Sequence, residues 1–104
     1  MSRKERIEDT LNAGMRCARH KAYLPWNQSK IDWNELSYKT IFDLLVDEIK
    51  ELNTALQDYA MNENSTLKRK RECIENVLSE VGDVINFACM IADNIENGIG
   101  IIKQ

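Results

Sequence analysis

The sequence is poor in the residues that interrupt helices, since its 104 residues include one proline and four glycines. That scarcity favours long helices over a turn-rich β fold. The three cysteines are widely spaced and form no CxxC pair, which indicates reduced thiols rather than a disulfide framework or a zinc site. We therefore expect a cytoplasmic all-α protein that forms a single domain over residues 1–104.

The sequence also lacks an excess of basic charge and a long apolar run. Its 17 acidic and 14 basic residues give a net charge of −3, whereas nucleic-acid binding relies on basic surface. The first residues lead into no apolar segment of the signal-peptide type. The apolar stretch 84–92 is too short to cross a bilayer and contains Asn86. We expect neither a nucleic-acid partner nor a membrane partner.

Apolar residues that recur at helical spacing predict three helices. The predicted helices cover about residues 3–22, 35–62 and 67–97. Asp32 or Asn34 is expected to cap the second helix, and Ser65 or Thr66 the third. Gly98 is well placed to end the third helix in a left-handed conformation.

The third predicted helix contains a segment, 81–91, that is apolar on almost all sides. Such a helix is expected to be buried on most of its surface. Three helices of this size cannot easily enclose the segment, so we expect a second copy of the chain to cover it. The expected assembly is a homodimer or a homotetramer.

Two pairs of acids lie on the apolar sides of the second and third helices: Glu48 with Glu51, and Glu80 with Asp83. Their i,i+3 spacing places the carboxylates of each pair side by side. At about 100° per residue, Glu48 falls in the middle of the apolar stripe and Glu51 at its edge. The second pair flanks the apolar positions 87 and 90.

Unpaired buried carboxylates are costly, so these acids require cationic partners. Arg or Lys side chains from elsewhere are one possibility. Two pairs on the inward sides of adjacent antiparallel helices favour a metal ion instead. Carboxylate oxygens are hard ligands that suit Mg²⁺ or Mn²⁺. A di-iron bundle would need a Glu-x-x-His motif, and the only histidine, His20, is not in one.

The acids belong to two ordered motifs, Asp47-Glu48-Ile-Lys-Glu51-Leu and Glu80-Val-Gly-Asp83-Val. Together they resemble the EExxE…ExxD signature of the MazG-like, all-α nucleoside triphosphate pyrophosphohydrolases. The resemblance covers about residues 44–95 and implies a helical bundle completed by oligomerisation. The sequence departs from the family pattern in having Asp47 in place of Glu, and in the long gap of 28 residues between Glu51 and Glu80.

The resemblance implies Mg²⁺-dependent hydrolysis of a nucleoside triphosphate to the monophosphate and pyrophosphate, with deoxynucleotides or non-canonical nucleotides as the expected substrates. It implies that Glu48, Glu51, Glu80 and Asp83 hold the metal, and that Glu48 or Glu51 also orients or deprotonates the attacking water. Phosphoribosyl-ATP pyrophosphatase is a related alternative with a similar acid pattern. A non-catalytic helical interaction module on the same fold is an alternative of another class.

Four further residues are candidates for substrate binding: Asn86, Trp26, Trp33 and His20. Asn86 lies one turn beyond Asp83, where it can touch substrate or bond to a neighbouring helix. The tryptophans lie in the first connector and either stack on a base, as aromatics of this region do in related enzymes, or cover the core. His20 either contacts the substrate or is a structural or surface residue.

Two other features have simpler interpretations. The basic run 68–71 is bracketed by acids and is expected to be a solvated helix face, although one of its cations could assist triphosphate binding. Cys73 and Cys89 lie on or near apolar faces and are expected to be packing residues.

Overall fold

The computed structural model describes residues 2–23 and 36–97. Within those ranges the protein consists of α helices and has no strand. The helices are α1 (Arg3–Ala22), α2 (Tyr38–Met61) and α3 (Leu67–Glu96). The prediction of an all-α fold is confirmed.

A hydroxyl side chain caps the start of each helix and so satisfies a backbone N–H that has no partner within the helix. The caps are Ser2, Ser37 and Thr66, which accept hydrogen bonds from the backbone N–H groups of Glu5 (3.1 Å), Thr40 (3.3 Å) and Arg69 (3.2 Å). The predicted bounds of α1 and the Thr66 cap are confirmed.

The predicted start of α2 is wrong. Ser37 has the extended backbone of an N-cap, with φ −74° and ψ 156°, so the helix begins at Tyr38 rather than near Glu35. Ser37 occupies the N-cap position of α2, and the two predicted caps, Asp32 and Asn34, lie outside the described residues. Gly98 also lies outside them; the C-cap of α3 is Asn97.

The central helix is α3, which packs against both α1 and α2. The five-residue turn 62–66 joins α2 to α3 as an antiparallel helical hairpin. The helix α1 also runs antiparallel to α3, because its successive residues meet progressively earlier positions of α3. Gly14 lies near Ile85, Cys17 near Gly82, and Lys21 near Ser79.

Gly82 allows α1 and α3 to approach closely. A Cβ atom at this position would lie 2.5 Å from the carbonyl oxygen of Cys17 and 2.8 Å from Cγ of Lys21. The first of these neighbours is backbone and cannot move without shifting α1. At Gly14 an added Cβ would lie 3.1 Å from Cδ1 of Ile85, which is the movable end of a side chain.

The single chain has a small core. Its buried hydrophobic residues, among those described, are Ala18, Ile41, Ala55 and Cys73. The burial of Cys73 confirms its prediction as a packing residue. The same prediction for Cys89 is wrong, because Cys89 is exposed. Within the apolar segment 81–91 only Gly82 is fully buried. The described residues therefore do not enclose this segment.

The two glycines provide a matched test of helix packing. Gly82→Ala should lower the free energy of unfolding by about 1–3 kcal/mol, because overpacking against the Cys17 carbonyl outweighs the roughly 1 kcal/mol gain in helix propensity. Gly14→Ala should be neutral or stabilising by up to about 1 kcal/mol, since the Ile85 side chain can rotate away. Urea unfolding followed by circular dichroism measures both, and equal stability of the two variants would contradict this account.

Candidate metal centre

Two helices bring three of the four predicted carboxylates together. Glu48 comes from α2, and Glu80 and Asp83 come from α3. One carboxylate oxygen from each lies within 4.8 Å of the other two, and all three residues are half-buried. This cluster, Glu48, Glu80 and Asp83, is the acidic centre.

Helical periodicity explains why these acids point inward. Glu48 lies seven residues from both Ile41 and Ala55, which are buried, and a spacing of seven is close to two helical turns. Glu80 lies seven residues after the buried Cys73 on α3. The apolar contacts that join α2 to α3 therefore also force the carboxylates together.

Glu51 lies at the exposed edge of the acidic centre and is not part of the group of three. It is still close enough to influence Glu48 and Glu80. Burial is the largest cause of the raised pKa of each, and the charge of Glu51 and a hydrogen bond with it raise both pKa values further. A neutral Glu48 or Glu80 can donate such a bond, whereas two ionised carboxylates have no proton to share. The structure thus separates three inner acids from one outer acid.

The acidic centre has unmet electrostatic and hydrogen-bonding needs. Oε2 of Glu48 and Oε2 of Glu80 are buried and receive no hydrogen bond from the part of the chain that the structure describes. Buried polar atoms normally have a partner, and buried carboxylates need a cationic one. Three hard oxygen donors within 4.8 Å fit Mg²⁺ or Mn²⁺, whose octahedral ligands lie about 3 to 4 Å apart, after small side-chain adjustments.

Burial and the neighbouring negative charges make Glu48 and Glu80 hard to ionise. Burial, a hydrogen bond with Glu51 and the charges of the neighbouring acids raise the pKa of Glu48 from 4.5 to about 7. Burial is also the largest cause of the raised pKa of Glu80, followed by the charge of Glu51. Both shifts indicate excess negative charge in a partly desolvated place.

A lysine that sequence reasoning missed reaches the acidic centre from α1. Nζ of Lys21 lies 3.2 Å from Oδ2 of Asp83 and donates a 2.8 Å hydrogen bond to Oγ of Ser79. Its positive charge opposes the rise in the pKa of Glu80. The available signal was its spacing, since Lys21 follows Gly14 and Ala18 along the face of α1 that meets α3.

Comparison with known protein families, curated proteins and solved structures found no match.

The predicted substrate-binding residues have different positions. Nδ2 of Asn86 donates a 2.9 Å hydrogen bond to the backbone oxygen of Ala18, so its amide nitrogen ties α3 to α1. His20 is exposed in the last turn of α1. Trp26 and Trp33 lie outside the described residues.

The basic run 68–71 is a partly solvated helix face, as predicted. Lys68 and Arg71 are exposed, and Arg69 pairs with Asp58 at 2.7 Å and with Glu72 at 3.4 Å. The pair with Asp58 joins the start of α3 to the end of α2 across the turn. Within residues 2–23 and 36–97, no helix combines the length and apolarity needed to cross a membrane.

The raised pKa of Glu48 predicts how the stability of the metal-free protein depends on pH. Below pH 4.5 this carboxyl is protonated in both the folded and unfolded states and contributes nothing. Between pH 4.5 and about 7 the carboxyl is ionised in the unfolded state but still protonated in the folded state, so the free energy of unfolding should fall with pH and level off above about 7. Glu48→Gln should reduce that fall, as measured by urea unfolding between pH 5 and 8 in the presence of a chelator.

The control for this pH dependence is Asp43→Asn, which neutralises an exposed acid on the same helix. It should leave the pH dependence of stability close to that of the unmodified protein. An undiminished fall in the Glu48→Gln protein would contradict the assignment of the titration to the acidic centre.

Proposed function

We propose that this protein is a Mg²⁺-dependent nucleoside triphosphate pyrophosphohydrolase with a MazG-like fold. The observation that carries the proposal is the convergence of Glu48, Glu80 and Asp83, in which two buried carboxylate oxygens have no hydrogen-bond partner among the described residues. The ordered motifs in the sequence then favour a triphosphate as the substrate. Mg²⁺ that is held by carboxylates usually completes its coordination with water and with the phosphate oxygens of a substrate.

In the proposed reaction the acidic centre binds the cation, and Glu51 acts at its exposed edge. Mg²⁺ bound there would neutralise charge on the reacting phosphate and the leaving pyrophosphate. The packing of α2 against α3 keeps Glu48 close to Glu80 and Asp83. Glu51 has the solvent exposure needed to orient or deprotonate a water that attacks the α-phosphorus.

The cost of assembling the acids argues against a purely structural module. Glu48 and Glu80 lie on the buried faces of their helices, where leucine would pack without desolvating a charge. A protein selected only to bind a partner through apolar faces has no need of these carboxylates. Phosphoribosyl-ATP pyrophosphatase activity is a narrower alternative with the same acid pattern, and it is distinguished only by substrate.

Self-association is part of the proposal. Leu56 and Leu78 are 46% and 48% exposed, and they line a groove between α2 and α3. The other lining residues are Tyr59, Ile74 and Val77. Burying a large apolar side chain stabilises by about 1.5–3 kcal/mol, so covering this groove and the segment 81–91 in a homodimer or homotetramer would compensate for the small core.

The activity test is a panel of canonical and modified nucleoside triphosphates and deoxynucleoside triphosphates, assayed for pyrophosphate with Mg²⁺. At least one should be cleaved. Glu51→Gln and Asp83→Asn should each lower the rate at least about 100-fold, because the first removes the group that handles water and the second a metal ligand. Asp43→Asn, an exposed acid on α2, should retain the full rate.

Two outcomes would contradict the enzymatic proposal. One is full pyrophosphate release by the Glu51→Gln and Asp83→Asn proteins. The other is the absence of release from every triphosphate together with an unchanged melting temperature when Mg²⁺ and a non-hydrolysable triphosphate are added. A non-catalytic module would give the second result, since a protein that binds neither ligand is not stabilised by them.

The association test places a charge in the groove. Leu56→Glu and Leu78→Glu should each shift the protein towards monomer, because a buried glutamate opposes closure of an apolar interface. Light scattering after size exclusion measures the mass. Lys68→Glu, an exposed charge change on the same helix α3, should leave the assembly intact. A monomeric unmodified protein would contradict self-association.

A further inference from the structure

The ammonium group of Lys21 lies inside the proposed metal site. Nζ is 3.2 Å from Oδ2 of Asp83, and the side chains of Lys21 and Asp83 are only 16% and 21% exposed. The hydrogen bond to Ser79 holds the same ammonium at 2.8 Å. A partly desolvated pair of this kind is stronger than a surface ion pair.

The lysine neutralises the acidic centre incompletely. It pairs with Asp83 and acts on Glu80 through its charge, but Oε2 of Glu48 and Oε2 of Glu80 remain buried without a hydrogen-bond partner among the described residues. Among the described residues, Lys21 is the one cation that the structure pairs with an inner acid. A divalent cation would supply more charge at the same place, and it would reach oxygens that the ammonium does not.

Close packing restricts how far the lysine can move. Its Cγ lies beside Gly82, at a point where even a methyl group would collide with it. The stem therefore packs against α3, so a shift of the ammonium away from Asp83 would come from rotation about the last bonds of the side chain. Lysine suits this arrangement because its ammonium is a compact charge on a flexible chain.

We propose that Lys21 is the counterion of the metal-free site, and that a divalent cation displaces its ammonium from Asp83. This inference rests on the metal-binding part of the proposed function and does not require that any triphosphate be cleaved. The lysine acts as a positioning residue: it stabilises the acids and the α1–α3 contact without metal, and it competes with the metal for Asp83. Metal affinity is consequently weaker than the carboxylates alone would give.

The test is a calorimetric titration of the metal-free protein with Mg²⁺ alone. Lys21→Met keeps most of the stem and removes the charge, so it should bind Mg²⁺ at least about tenfold more tightly. Lys21→Arg should stay close to the unmodified protein. Lys50→Met, which removes an exposed lysine charge from α2, should change the affinity by less than about twofold. In the metal-free state the Lys21→Met protein should melt at a lower temperature, and saturating Mg²⁺ should remove that deficit.

Two further measurements cover the possibility that Lys21→Met folds poorly. Ser79→Ala removes one partner of the ammonium and leaves every acid in place, so it should tighten Mg²⁺ binding in the same direction by a smaller factor. In protein with ¹³C-labelled lysine, the Cε resonance of Lys21 should shift on saturation with Mg²⁺, while that of Lys50 should not.

The proposal is overturned if Lys21→Met binds Mg²⁺ no more tightly than the unmodified protein, or if the Cε resonance of Lys21 does not respond. Absence of Mg²⁺ binding by both proteins also overturns it. The proposed enzymatic function fails separately, through the absence of pyrophosphate release, and that result would leave a measured effect of Lys21 on metal affinity standing.

Discussion

Electrostatic repulsion among Glu48, Glu80 and Asp83 is the constraint on which the rest of the structure depends. The apolar faces of α2 and α3 must meet to form a core, and Glu48 and Glu80 lie on those faces between or beside buried residues. Folding therefore partly buries these carboxyls beside one another. Burial, followed by a hydrogen bond with Glu51 and the charges of the neighbouring acids, raises the pKa of Glu48 to about 7. A bound divalent cation would relieve this cost, whereas simple packing would be better served by leucine.

Gly82 connects the fold to the acidic centre. It lies between Glu80 and Asp83 in the sequence, and its lack of a side chain lets α1 approach α3 until backbone touches backbone. The same approach brings Lys21 to Asp83. The acids come from two helices, but their electrostatic balance depends on a third. The motif Glu80-Val-Gly-Asp83 thus carries two residues of the acidic centre and a packing position.

The features that depend on local sequence could be predicted. The apolar periodicity and the long stretches without proline predict three helices. A hydroxyl residue in the polar turn predicts where α3 begins, and Thr66 is its N-cap. The predicted start of α2 is too early because Asp32 and Asn34 are residue types that cap helices as well as Ser37 does. The local sequence alone does not distinguish between them. The inward position of Glu48 followed from helical angles, because its stripe is strongly apolar.

The features that depend on contacts between helices could not be predicted. The register of α1 against α3 decides that Lys21 meets Asp83 and that Asn86 bonds to the Ala18 carbonyl, and no local pattern specifies that register. The exposure of Glu51 could be predicted only in part. Its helical angle places it at the edge of the apolar stripe, but the angle does not show that Glu51 lies apart from the three inner acids.

The claim that Glu48, Glu80 and Asp83 form a divalent cation site is tested most directly by crystals grown with Mn²⁺. Diffraction data collected near the manganese absorption edge locate the ion through its anomalous scattering, independently of any activity. We expect an anomalous peak between these three carboxylates, at ordinary metal–oxygen distances of about 2.1–2.2 Å. A well-ordered acidic centre without such a peak at saturating Mn²⁺, or an ion bound only elsewhere, would contradict the account.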